Sequence, residues 1–197
     1  DSGVDAGHSD LGDRLWDNAD EVAGNDIDDD GNGYVDDVHG WDFASRDADP
    51  SDEVGHGSSV AGVVVGRGDD GAGILGTSWG ARLMVLRAVA GQDGGNNSAF
   101  AIARSFHYAA DNGAQIVLAA LSTSGRSRVM EKAARHLEAQ DVILVTSAGN
   151  ASRDLDEQPL FPACWDMDNI VVVTASDNQD KLAHWSGHGP RCVDLAA

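Results

Sequence analysis

From residue 56 onward, short unbroken apolar runs alternate with longer stretches of helical period, and this alternation restricts the chain to the α/β class. Runs 83–89, 115–121, 142–146 and 170–175 have strand length and place apolar side chains at consecutive positions. That pattern suits parallel strands covered on both faces. Between them, residues 98–112 set Ile102, Phe106 and Ala109 on one stripe, with Ser98 at the expected N-cap and Gly113 just past the end. Residues 128–140 align Val129, Met130, Ala133 and Leu137, and 56–66 predict a third, short helix of small residues. The expected architecture is three-layer α/β, a mostly parallel sheet flanked by helices. In such sheets sites form at the carboxyl ends of strands.

The first 55 residues are different: acidic, rich in loops, and nearly without apolar period. The chain reads as one domain with an acidic part, 1–55, and an α/β core, 56–197. Its net charge is −20, from 33 acidic and 13 basic residues. Such a balance disfavours nucleic acid and anionic membrane surfaces as partners, since both demand Lys and Arg. No apolar run is long enough to span a bilayer.

Within the acidic part, residues 26–37 put Asp26, Asp28, Asp30 and Asp37 at loop positions 1, 3, 5 and 12, with Gly31 at 6. That is the spacing of an EF-hand-type calcium loop, with Asp in place of Glu at the last position and no flanking helices. The expected cofactor is Ca²⁺, held by Asp26, Asp28, Asp30, the Asn32 carbonyl and Asp37, with Asp36 as a substitute for Asp37. A solvated acidic turn is the alternative. Asp47, Asp49 and Asp52 form a second acidic stretch, read as a solvated loop, and His184 and His188 lack a third zinc ligand nearby. Cys164 and Cys192 leave one disulfide and two free thiols equally open.

Three short motifs carry the chemistry. The chain opens Asp1-Ser2-Gly3, continues later with His56-Gly57-Ser58-Ser59-Val60-Ala61-Gly62, and later still reads Ser147-Ala148-Gly149-Asn150 after an apolar strand. Each alone is weak; in this order they resemble the subtilisin-like serine proteases, the subtilases. Residues 31–43, 161–163, 169–175 and 185–197 extend the resemblance almost from end to end. It implies that Asp1 is the triad acid, His56 the general base and Asn150 the side-chain donor to the oxyanion. It also implies that Ala120, Leu121 and Ser122 stand where the family's Ser-Leu-Gly strand pairs with the substrate backbone.

The pattern departs from the family in two places. Ser59 replaces the family's second His, and no Gly-Thr-Ser-Met-Ala occurs. The final residues, 193–197, resemble the start of the stretch that precedes that motif, so the domain is expected to be incomplete at both ends, with the nucleophilic serine outside this chain. Ser122, Ser124 and Ser127 lack the context of a nucleophile. The expected function is serine endopeptidase of a secreted, extracellular or periplasmic protein, with a polypeptide substrate and a pro-segment outside this chain. The fragment itself is expected to be inactive. The rival is a non-catalytic, calcium-stabilised module that binds peptide or protein. A nucleotide-binding protein is disfavoured, because no Gly-rich stretch has phosphate-loop spacing.

Overall fold

A computed structural model describes residues 1–68, 71, 73–91 and 98–197. The chain divides into two compact units, Asp1–Ser105 and Phe106–Ala197.

In the first unit, strand β1 (Gly40–Asp42) pairs in parallel with β2 (Val85–Arg87), Gly40 opposite Val85 and Asp42 opposite Arg87. Helix α1 (His56–Val65) lies between them in sequence. Its Ala61 and Val65 pack with Val4, Leu11, Leu15 and Val85 into a small apolar core. Most of the acidic segment is turn and bend, because its Asp and Asn side chains cap their own backbone N–H groups more readily than they support a ladder. The unit closes with the first half of α2 (Ala99–Asp111).

The second unit holds a four-stranded parallel sheet in the order β3 (Ile116–Ala119), β4 (Ile143–Ser147), β5 (Ile170–Thr174) and β6 (Leu195–Ala196). Helix α3 (Arg128–Ala139) crosses from β3 to β4, and the Ser127 side chain accepts the Met130 N–H at its N-cap. Met130, Ala133, Ala134 and Leu137 of α3 are buried, as the apolar stripe predicts. Cys164 and Cys192 are joined in a disulfide, with Cα atoms 4.9 Å apart, and the Phe161–Pro162 peptide is cis.

Every strand expected from the sequence is present, each shorter by one to four residues or shifted by one. The expectation of burial on both faces is corrected. In β3 and β4 burial alternates: Val117, Ala119, Leu144 and Thr146 are buried, while Ile116, Leu118 and Ile143 are exposed. Apolar character on both faces records what a strand can bury; exposure records what covers it within this chain.

Candidate active site

The amino-terminal segment runs beside β2. The Asp1 nitrogen donates to Leu86 O (3.3 Å), and the Asp1 carbonyl accepts from Ala88 and Val89 (3.0 and 3.1 Å). This anchorage at the carboxyl end of a parallel strand fixes the direction of the Asp1 side chain. Its Oδ1 lies 2.7 Å from Nδ1 of His56, the first residue of α1. Oδ1 also accepts the Ser2 N–H at 2.6 Å. The carboxylate is mostly buried while the imidazole is 57% exposed. With Nδ1 donating to Asp1, Nε2 becomes the ring's acceptor.

A network centred on Asp52 holds the two motifs together. Ser2 Oγ donates to Asp52 Oδ1 (2.8 Å) and accepts the Gly57 N–H (3.0 Å). The other carboxylate oxygen accepts the Ser58 N–H and hydroxyl (2.8 and 2.7 Å), and Oδ1 takes the N–H groups of Val54 and Gly55, both at 2.9 Å. Gly55 at the N-cap offers no side chain, so Asp52 supplies the carboxylate that the first turn of α1 needs. Burial works against its charge, but the bonds from Ser58, Gly55 and Val54 prevail and hold the Asp52 carboxyl well below the usual range. Asp52 is therefore a working part of the site's frame and not the solvated loop residue that the sequence suggests.

Close backbone approach explains two of the motif glycines. A Cβ on Gly57 would fall 2.1 Å from Gly3 O, and one on Gly3, whose φ is +108°, would fall 2.4 Å from Pro50 O. Arg87, at the end of β2, donates through Nε to Ser2 O (3.2 Å), pairs with the buried Asp42 carboxylate and reaches Glu53 at 2.9 Å. The Asp42 and Glu53 carboxylates thus hold the guanidinium that fixes the Ser2 carbonyl.

The second unit carries the other expected residues. Strand β4 ends at Ser147, and the turn Ala148-Gly149-Asn150 is fixed by Ala148 N–H to Val173 O (2.9 Å) and Gly187 N–H to Gly149 O (2.8 Å). Asn150 is exposed. The partly buried segment Ala120, Leu121 and Ser122 leaves β3, the terminal strand of its sheet, and Thr123 then bridges Phe161. The Gly149 Cβ position lies 3.7 Å from Ser122 Oγ, so the Asn150 turn adjoins this segment.

The acidic loop closes differently from its spacing. Carboxylate oxygens of Glu21, Asp30 and Asp37 lie within 4.8 Å of one another. Asp37 is fully buried and accepts the amides of Asn18 and Asn32 at 3.0 and 2.9 Å, the Asn32 amide also reaching Asp30 at 2.9 Å. Asp26 and Asp28 are outside this group. Asp28 is turned to the N–H groups of Asn32 and Gly33 (3.0 and 2.8 Å), and the Asp26 N–H donates to Asp36. Glu21 escapes a reading by spacing because it precedes the loop; it enters by accepting the N–H groups of Asp29, Asp30 and Asp36.

The model of the subtilase family, peptidase S8, matches residues 1–197. Thermitase of Thermoactinomyces vulgaris is 29% identical over 81% of this chain and 54% of its own. Subtilisin-like protease 1 of Plasmodium vivax is 29% identical over 83% of this chain and 26% of its own. Among solved structures, a cold-adapted subtilisin-like serine proteinase matches all of this chain and 60% of that one, with a TM-score of 0.74 and 24% identity. The epidermin leader peptide processing serine protease of Staphylococcus aureus matches all of this chain and 49% of its own, with a TM-score of 0.73 and 19% identity. The chain thus spans about half the length of thermitase and less of the Plasmodium protease.

Proposed function

The chain belongs to the subtilase family, and from that premise we propose that it supplies the acid–base half of a serine endopeptidase whose nucleophilic serine lies on sequence outside this chain. The hydrogen bond between Asp1 and His56, 2.7 Å long, carries the reading. His56 Nε2 accepts the proton of the serine hydroxyl as its oxygen attacks the scissile carbonyl. Asp1 fixes the tautomer and stabilises the imidazolium. The Asn150 amide donates to the oxygen that becomes negative, and the imidazolium then returns its proton to the leaving amine. An acyl-enzyme remains, which water hydrolyses by the same steps.

Ala120, Leu121 and Ser122 are the segment along which an extended polypeptide would pair through main-chain groups, a mode that tolerates Ser122 where the family has Gly. Calcium is the proposed structural cation of the acidic loop, with Glu21, Asp30 and Asp37 at its centre and the Asn32 carbonyl as a further candidate ligand. An all-oxygen set with a fully buried carboxylate fits a hard cation. Asp26 and Asp28 remain outer candidates. The disulfide supports secretion into an oxidising compartment, and no helix among the described residues is long and apolar enough to cross a membrane.

Casein digestion tests the proposal. The 197-residue chain alone is expected to leave casein intact, whereas the protein continued through its downstream reading frame digests it and is stopped by phenylmethylsulfonyl fluoride. Digestion by the shorter chain that survives His56→Ala would contradict the assignment.

A further inference from the structure

Within the second unit, the end of α2 and the end of α3 bring together a group of side chains that the proteolytic reading leaves unused. His107 and Asp111 lie one turn apart on α2, and His136 lies in the last turn of α3. His136 Nε2 is 2.8 Å from Asp111 Oδ1, and the His107 and His136 rings stand 4.5 Å apart between centroids, tilted by 37°. One ligand atom from each of the three residues lies within 4.8 Å of the other two. His107 and Asp111 are exposed and His136 is partly so, which leaves the side chains free to adjust and an ion free to enter.

We propose that His107, Asp111 and His136 form a Zn²⁺ site that clips the end of α2 to the end of α3. Two imidazoles and one carboxylate are the ligand types that borderline divalent cations select over Ca²⁺ and Mg²⁺. Zn²⁺ at its usual ~2.0–2.1 Å bond lengths, in tetrahedral geometry, sets ligand atoms roughly 3.3 Å apart. The Asp111–His136 pair is already near that separation, and a small rotation of His107 closes the rest. Three protein ligands leave the fourth position to water. A hydrogen-bonded tie between the helices would need only Asp111 and His136; the second imidazole, tilted against the first, is what a metal would use and a tie does not. The neighbouring Arg135 is turned to Glu131 and Glu138 on its own helix, at 3.8 and 3.6 Å, so its guanidinium is engaged elsewhere.

Titration of the purified protein with Zn²⁺ by calorimetry, followed in parallel by imidazole NMR, decides the matter. The expected result is one equivalent bound with simultaneous shifts of the His107 and His136 ring resonances, none of which Ca²⁺ reproduces. His107→Gln and His136→Gln, each checked for unchanged circular dichroism, should weaken this equivalent by more than the ~10–100-fold that loss of a ligand's orienting partner costs. Zn²⁺ stoichiometry and affinity that are the same in both variants as in the parent, or ring resonances that stay in place, would reduce the group to a hydrogen-bonded tie and overturn the proposal.

Discussion

Asp52 shows how much of the site rests on a residue that does no chemistry. It receives four N–H or hydroxyl donors from Val54, Gly55 and Ser58, before and within the first turn of α1, and one hydroxyl from Ser2, so it fastens the segment bearing Asp1 to the helix bearing His56. Replacing it with Ala removes a capping carboxylate and is expected to cost ~1–2 kcal/mol, read as a lower midpoint in urea unfolding. The pH dependence follows from the sign of its shift. Its folded value is depressed, so its contribution is fully present above the unfolded value of about 4 and is lost as pH falls through and below it. The parent should therefore lose stability more steeply than Asp52→Ala between about pH 5 and the acid limit; parallel curves would show that the network is inert. The sequence makes the Asp1 and His56 motifs legible through residue type and order. It hides Asp52, because an acidic stretch without period carries no trace of contacts with a Ser fifty positions away.

At the scale of elements, the long periodic segments are the legible ones. Helices α2 and α3 and strands β3 to β5 fall close to their expected bounds, because capping residues and apolar runs mark them. β1 and β6, of three and two residues, are not legible: Gly40–Asp42 is too short for an alternation and becomes a strand by pairing with β2. The acidic loop shows the limit of spacing. Alternating Asp residues predict convergence, but the turn spends Asp28 on its own N–H groups and recruits Glu21 from outside. Bound calcium should stabilise the first unit, so chelation is expected to lower the melting temperature, and Asp37→Asn to abolish that difference. An unchanged melting temperature with chelator would leave the loop a self-capped turn. The Cys164–Cys192 bond closes a loop with a sequence separation of 28. Loop-closure entropy puts its worth at ~3–4 kcal/mol, so reduction should shift denaturant unfolding of the second unit by that order, and no shift would place its value in the native strand contacts instead.

On the scale of the whole molecule, the exposed apolar side chains Ile116, Leu118 and Ile143 agree with a chain that spans only part of its relatives' length. A sequence shows such strands as buried on both faces, since it reports apolar character and not what lies against it. The central claim is that Asp1 and His56 act as one unit upon a serine. The most direct test is the kcat of the protein together with the proposed serine-bearing sequence, compared among His56→Ala, Asp1→Asn and the double variant. In the subtilisin triad, loss of the base costs ~10⁶-fold in kcat, and a comparable loss is expected for His56→Ala, with a smaller one for Asp1→Asn. The double variant should be no slower than His56→Ala alone, because a carboxylate with no imidazole to orient has nothing left to contribute. Losses that multiply, or a His56→Ala variant that keeps its activity, would contradict the account.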